Sequence, residues 1–223
     1  MKPRILSWLA VVVDLALTGF FWAKLPEVVP THWNLRGEVD ATGSKLQLLV
    51  VGPALLVGLM ALLEVLRRID PKNQALAADA PAAEAGTTDL VISVVMWFLV
   101  ALHLALLLAV TGAPSLGPLL LAVAFAGFQL FLGNMLPRVR PNFFVGIRTP
   151  WTLASDTVWR RTHRVAGKLL VGGGVLSLAT LALAPTMVAF PVTVGAMVVA
   201  LLGPSAASYL FWRSEQRAGQ AGR

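Results

Sequence analysis

The sequence predicts an all-α polytopic membrane protein with six transmembrane helices and an amphipathic helix at the cytoplasmic interface. Of the 223 residues, 57% are hydrophobic and 13% are charged, whereas a soluble domain carries roughly 25% charged residues. Six apolar runs, each close to the ~20 residues that a helix needs to cross the hydrocarbon core, alternate with segments rich in proline, glycine and charge. In so apolar a chain, the net charge of +7 favours anionic lipid headgroups over direct nucleic-acid binding.

The predicted spans follow one another with short connections. They cover residues 5–23, 46–65, 90–110, 116–136, 165–184 and 188–212. No small-x-small cleavage site follows the first run, so we expect it to remain as an uncleaved helix. Gly52-Pro53 predicts a kink in the second span, and Gly203-Pro204 predicts another in the sixth, because proline lacks the N–H that a helix requires.

The chain forms one membrane domain in three parts. Residues 1–66 hold two spans and the loop between them, residues 67–89 form a linker, and residues 90–223 hold four spans, a loop at 137–168 and a short basic tail. Fifteen cations fall on one side of the membrane and three on the other. Because cytoplasmic loops carry the excess of Lys and Arg, both termini and the loop at 137–168 are predicted to be cytoplasmic.

We call residues 133–168 the signature segment. Between residues 137 and 168 it carries one carboxylate, Asp156, and seven cations. The cations are Arg138, Arg140, Arg148, Arg160, Arg161, Arg164 and Lys168. Pro141 and Pro150 exclude a helix through the first half, whereas no Pro or Gly interrupts residues 155–166. The pattern predicts a structured loop followed by an amphipathic helix whose apolar side, with Val158 and Trp159, lies at headgroup depth in the membrane.

Polar residues inside the spans are candidate functional groups. Asp14 costs about 2.5 to 3.5 kcal/mol at the centre of a span, so it needs a partner. It is either a hydrogen-bonded structural residue or a group that handles protons or ions. His103 either bonds to a neighbouring helix or pairs with Asp14, and Gln129 and Asn134 lie on the fourth span.

The first loop, residues 24–45, contains a second cluster of polar and aromatic side chains. Its pattern is Pro30-x-His32-Trp33-Asn34-x-x-Gly37-x-x-Asp40. A single histidine with loosely spaced carboxylates is a poor metal-ligand set, so we expect a packed cap or a ligand-binding loop without a metal. The absence of cysteine excludes disulfides and thiolate chemistry.

Two patterns resemble those of a known family. The signature segment contains Asn142-x-x-x-Gly146-Ile147-Arg148-Thr149-Pro150-Trp151-Thr152-Leu153, followed by Ser155, Trp159, Thr162-His163-Arg164 and Gly167. This pattern resembles the signature of the sporulation-delaying-protein immunity family (SdpI family). The pattern from Pro30 to Asp40 resembles that of a domain of unknown function that accompanies it. The resemblance implies a multi-pass protein of the bacterial cytoplasmic membrane, some of whose relatives protect the cell from a secreted peptide toxin.

The resulting interpretation is a membrane immunity or envelope-stress signalling protein with no cofactor. Its expected partners are anionic lipids, a peptide toxin outside and a protein inside. Arg148 is then the main anion contact of the signature segment. Alternatively, its guanidinium caps neighbouring backbone carbonyls or binds a lipid phosphate. Asn142 and Thr149 order the loop, Gly146 permits its turn, and Trp151 and Trp159 anchor it.

The sequence also bears on two other classes of function. A proton- or ion-coupled small transporter would use Asp14 and His103. An intramembrane enzyme has no support, because the sequence contains no nucleophile, paired-carboxylate or H-E-x-x-H motif, and the one candidate base of the signature segment, His163, has no nucleophile beside it in sequence. No catalytic residue is therefore predicted.

Overall fold

The structure is a computed structural model that describes residues 3–33, 39–69, 82–112, 116–141 and 145–221. Within these ranges, six helices are long and apolar enough to cross a membrane. Leu and Val side chains cover the outward surfaces of the spans, including Leu183, Val199 and Leu202 at 88, 63 and 65% exposure. Such surfaces suit hydrocarbon rather than water. The predicted polytopic, helical architecture is confirmed.

The helices and strands, numbered along the chain, are as follows. They are α1 Pro3–Trp22, β1 Val28–Trp33, β2 Val39–Ser44, α2 Leu46–Leu49, α3 Leu55–Ile69, α4 Ala82–Val110, α5 Leu116–Met135, α6 Pro150–Ala154, α7 Asp156–Leu183 and α8 Thr186–Ala221. A π-helical turn, Val50–Ala54, joins α2 to α3. Gly52 has φ −101° and ψ −105° in this turn, outside the helical region, so the kink predicted at Gly52-Pro53 is confirmed.

Two boundaries differ from those expected. The sixth span was predicted to end at residue 212, but α8 continues to Ala221, because Glu215, Gln216 and Arg217 are good helix formers. The helix α4 begins at Ala82, inside the predicted linker. The predicted amphipathic helix, residues 155–166, and the fifth span, residues 165–184, overlap in sequence, and α7 contains both in one 28-residue helix.

The loop between the first two spans contains a β-hairpin that the sequence analysis did not predict. The strands β1 and β2 pair antiparallel, with Val28 opposite Ser44 and Trp33 opposite Val39. β-branched and aromatic residues, which favour strands, occupy much of β1, whereas β2 contains only Val39 and Thr42 of this kind and depends more on its pairing with β1. At the base of the hairpin, Lys45 Nζ lies 2.7 Å from Glu27 Oε1. The hairpin therefore connects α1 to α2 as an ordered element.

The chain divides into two compact units. Unit 1 contains Met1–Val65 and Ile92–Ala124. Its buried core includes Ala10, Leu56, Met60, Met96 and Val100. Polar contacts accompany this core: Ser7 Oγ lies 2.9 Å from Ser93 Oγ, and Arg4 lies 2.5 Å from Glu64.

Unit 2 contains Leu66–Val91 and Phe125–Arg223, and it carries the signature segment. The helices α7 and α8 form its main packing interface. On the other side of α7, a Cβ atom at Gly167 would lie 2.6 Å from the carbonyl oxygen of Gly133. The small residues thus allow α5 and α7 to approach closely, as is usual between membrane helices. Between α5 and α8, Gln129 donates to the Thr193 carbonyl at 3.2 Å.

Candidate functional site

The short helix α6 begins with a reciprocal capping arrangement. Thr149 is its N-cap residue, and the Thr149 hydroxyl accepts the Thr152 N–H at 3.2 Å. In return, the Thr152 hydroxyl accepts the Thr149 N–H at 2.9 Å. Pro150 occupies the first helical turn, where its missing N–H costs no hydrogen bond. These two threonines fix the backbone directly after Arg148.

The same two side chains connect the loop to neighbouring elements. Thr152 Oγ1 lies 2.9 Å from the Ile147 carbonyl oxygen, and Thr149 Oγ1 lies 2.9 Å from Ser208 Oγ on α8. Trp151 packs beside Tyr209, with 5.1 Å between the ring centroids. The segment is therefore held against α8 by two hydroxyl groups and a pair of aromatic rings.

His163 fixes the backbone directly before Arg148. The Ile147 N–H donates to His163 Nε2 at 2.9 Å, and His163 Nδ1 lies 2.9 Å from the Trp159 carbonyl oxygen. Because a carbonyl only accepts, Nδ1 carries the hydrogen and Nε2 accepts. Both ring nitrogens of this fully buried neutral imidazole are thereby engaged. His163 supports the loop, and no free nitrogen remains for the role of a general base that the sequence left open for it.

Trp159 completes the support of the loop. Its indole Nε1–H donates to the Val139 carbonyl at 2.8 Å, and its ring stacks on His163 with 4.1 Å between centroids. Trp159 and Val158 are 0 and 1% exposed. Met135, Val139 and Val145 cover Trp159 within unit 2, so the two side chains face protein and not lipid. Their depth in the membrane stays a prediction.

Gly146 has a backbone conformation that only glycine adopts easily, with φ +119°. A Cβ atom at this position would also collide with His163 Nε2 and lie 3.1 Å from Trp159 ring atoms. Gly146 therefore allows both the turn and the close approach of the two rings, as the sequence predicted for the turn. Asn142, predicted to order the same loop, lies outside the described residues.

The charged side chains of the signature segment face outward from this buried support. All seven cations are exposed, whereas Val158, Trp159, Thr162 and His163 are buried. Exposed Asp156 is the one carboxylate between residues 137 and 168. Arg161 lies 4.3 Å from the ring centroid of Phe211, and Arg138 donates to Asn134 Oδ1 at 3.4 Å. The arrangement can bind an anionic group at a rigid, positively charged surface.

Known proteins match the chain in both regions. The SdpI/YfhL protein family model matches residues 138–208, and the model of a domain of unknown function (DUF1648) matches residues 9–57. The immunity protein SdpI of Bacillus subtilis (strain 168) is 26% identical over 176 residues, which are 79% of this chain and 80% of that protein. The resemblance to the SdpI family is confirmed. No solved structure matches the chain.

The SdpI match covers the supported loop together with its contact on α8. It begins at Arg138 and ends at Ser208, the residue that meets Thr149. Sequence reasoning assigned no role to Thr152, although a threonine three residues after the N-cap Thr149 is a capping-box spacing that could have indicated one. The residues of the matched range that shape the loop are Gly146, Thr149, Thr152, Trp159 and His163, and Arg148 is exposed upon it.

The second match covers α1, the hairpin and the π-helical turn. On the hairpin, His32 Nδ1 lies 2.5 Å from Asp40 Oδ1, and both side chains are exposed. Pro30 lies in β1, while Asn34 and Gly37 of the predicted motif fall outside the described residues, as does the side chain of Trp33. In the part of the chain that the structure describes, no group of three His, Cys, Asp or Glu residues is placed to hold a metal.

The buried polar residues of the spans have defined partners. His103 Nδ1 lies 2.9 Å from Asp14 Oδ1, so the predicted pairing of these two residues is confirmed. Gln129 bonds to Thr193 and, at 3.4 Å, to Ser177 Oγ. The position of Gly52 against the His103 ring had not been predicted.

Proposed function

We propose that this protein protects a bacterial cell against a secreted peptide toxin or related envelope stress. Its similarity to a protein named as an immunity protein, over 79% of the chain, supports this function. The six apolar helices support a membrane location for this function. The observation that carries the proposal is the structure of the loop at residues 145–153. Its contacts with His163, and the capping hydroxyls of Thr149 and Thr152, hold exposed Arg148 at a defined position.

Arg148 is the proposed anion contact of this site. Its two neighbours are both held: Ile147 by the His163 imidazole and Thr149 by the capping hydroxyl of Thr152. A guanidinium on such a backbone loses less entropy on binding than one on a flexible loop. It also offers a planar pair of N–H donors to the two oxygens of a carboxylate or phosphate. The cations on α7 supply a more diffuse attraction.

We further propose an orientation with both termini and the SdpI signature in the cytoplasm. The support is the cation distribution of fifteen to three. In this orientation the hairpin with His32 and Asp40 faces outward and meets the toxin, while the Arg148 surface binds an acidic protein or lipid headgroup inside. Reporter fusions should locate residue 36 outside and residue 150 in the cytoplasm; the reverse result would contradict the orientation.

A deletion experiment tests the protective function. The gene is deleted, and the cells are exposed to peptides secreted by neighbouring strains, with and without the intact chain supplied in trans. We expect at least one peptide to inhibit the deletion strain and the intact chain to restore growth. Equal growth of the deletion and rescued strains in every peptide fraction would contradict protection.

A matched pair of variants tests the site separately from the function. Arg148→Ala removes the proposed anion contact, whereas Arg164→Ala removes an exposed cation from α7. Protection that is lost only with Arg148→Ala, at equal membrane expression, would support the site. Protection that falls equally in both variants would indicate a diffuse positive surface instead.

A further inference from the structure

Asp14 and His103 form an ionisable pair in the interior of unit 1. The Asp14 side chain is fully buried and that of His103 is 1% exposed. Both lie within helices long and apolar enough to span a membrane. Ionisable side chains at such depth are costly, and they are kept mainly where they carry protons, ions or substrates.

Each partner retains one buried polar atom that the pair itself does not use. Within the described residues, Asp14 Oδ2 and His103 Nε2 have no hydrogen-bond partner. Gln129 Oε1 and Thr162 Oγ1 also lack a partner there, but an amide and a hydroxyl do not exchange charge with water as a carboxylate and an imidazole do. The contrast with His163 is informative, because both of its ring nitrogens are engaged. Asp14 Oδ2 and His103 Nε2 can therefore each take part in one more hydrogen bond.

The number of protons on the pair sets its net charge. When Asp14 is ionised it only accepts, so His103 Nδ1 carries the shared hydrogen and Nε2 presents a lone pair. This arrangement holds one net negative charge in an apolar interior, which is unfavourable. A proton taken from water that bonds to Nε2 forms an imidazolium opposite the carboxylate, and the net charge becomes zero. The net charge of the pair is also zero if Asp14, and not His103, binds the proton.

The backbone beside the imidazole is irregular. A Cβ atom at Gly52 would collide with three atoms of the His103 ring, so the ring lies directly on the π-helical turn Val50–Ala54. Pro53 interrupts the regular hydrogen bonds of this helix because it has no N–H. A change in the charge of the His103 ring therefore acts on a turn that lacks some of the hydrogen bonds of a regular α-helix.

The other ionisable residues on α1, α3 and α4, and those just after α1 or just before α2, lie towards the ends of the spans. Each is seven or more residues along the chain from Asp14, Gly52 or His103, which is about 10 Å or more along a helix. They are Arg4, Lys24, Lys45, Glu64, Arg67, Arg68, Glu84 and Asp89. Arg4 pairs with Glu64, and Lys45 pairs with Glu27. The proton balance of the site is therefore set chiefly by Asp14 and His103 themselves.

We propose that Asp14 and His103 form a reversible proton-binding site inside the membrane domain, with the turn at Gly52 as the backbone element in contact with it. The site goes beyond protection against a peptide and does not depend on it. Its ligand is a single proton exchanged with water, and the pair changes between a net charge of minus one and zero.

The test follows protonation of the full-length protein in lipid vesicles. The chain has three histidines, His32, His103 and His163, so ¹⁵N-histidine labelling with solid-state NMR resolves each ring, and His103→Gln assigns the signal of His103. We expect the His103 signal to change reversibly as the pH of the vesicles is varied between about 5 and about 10. A wild-type His103 signal that stays constant over this range would overturn the proposal.

Two variants show whether the titration belongs to the pair. Asp14→Asn keeps an oxygen near Nδ1 but removes the negative charge, and we expect it to shift the pH midpoint of the His103 signal. Asp40→Asn is the matched control, because Asp40 makes the same contact with exposed His32; it should shift only the His32 signal. A His103 midpoint that is the same in Asp14→Asn and wild type would refute the pair as the site. The wild-type titration does not use Asp14→Asn, so it tests the proposal whether or not that variant folds.

Discussion

Substitution of Gly146 by alanine should release the SdpI signature loop from its support. An alanine at φ +119° costs about 1–3 kcal/mol in backbone strain. Its Cβ would also collide with His163 Nε2, which accepts the Ile147 N–H. Loss of that bond leaves a buried donor unsatisfied, at a further ~1–3 kcal/mol. Together, these two effects lower the free energy of local opening of the loop by about 2–6 kcal/mol.

Hydrogen exchange of residues 145–153, followed by mass spectrometry in lipid nanodiscs, measures this effect. Since 1.4 kcal/mol corresponds to about a tenfold change, the lower bound of ~2 kcal/mol predicts at least about 30-fold faster exchange. Protection against the toxin should fall in parallel if Arg148 must be held in place.

Gly112 provides a matched control. It also has a positive φ, +105°, but a Cβ atom there meets nothing within 4 Å. Gly112→Ala should therefore cost only the backbone strain, about 1–3 kcal/mol, in its own turn and leave residues 145–153 unchanged. If Gly146→Ala exchanges at the wild-type rate in this segment, the rings of His163 and Trp159 do not support the loop as described.

Further predictions concern the arginine, the contact on α8 and the proton site. Arg148→Lys should impair protection while membrane insertion stays intact, because an ammonium lacks the planar fork of donors. Arg161→Lys should leave protection nearly unchanged. Equal protection by the two variants would show that Arg148 is not a specific contact. Ser208→Ala should weaken docking of the signature segment by about 1 kcal/mol, measured by faster hydrogen exchange of residues 149–153. Ser205→Ala is the control and should leave that exchange unchanged, because the Ser205 hydroxyl bonds to the Leu201 carbonyl in its own helix. Asp14→Asn should preserve protection in the peptide challenge, because within the described residues the Asp14 carboxylate bonds to His103 and not to the hairpin or the signature segment. Lost protection would favour a proton-coupled transporter.

The spans were predictable because each is a long apolar run between strong breakers, and the kink at Pro53 follows from the covalent structure of proline. The pairing of Asp14 with His103 remained one of two options in the sequence. Choosing between them requires knowing that α1 and α4 are neighbours, which depends on contacts between residues far apart in the chain.

The environment of Trp159 illustrates a different limit. The helical pattern correctly grouped Val158, Trp159 and Ala166 on one apolar side. Lipid and a protein core are both apolar, so the pattern could not indicate that the polypeptide before α7 covers this side. The hairpin was missed because Pro30, Gly37 and Gly43 suggested an irregular loop, whereas pairing of the two segments stabilises strands that are weak individually.

The length of α8 has a mechanical consequence. Its 36 residues extend about 54 Å at the usual rise of 1.5 Å per residue, whereas the hydrocarbon core is only about 30 Å thick. Ser208 lies 22 residues after Thr186, about 33 Å along the axis, which is close to the thickness of the hydrocarbon core. A tilt or axial shift of α8 within the lipid would therefore move the hydroxyl to which Thr149 is attached. Through that hydroxyl, displacement of the span would reach the backbone beside Arg148, with Pro191 and Pro204 as the points at which α8 can bend.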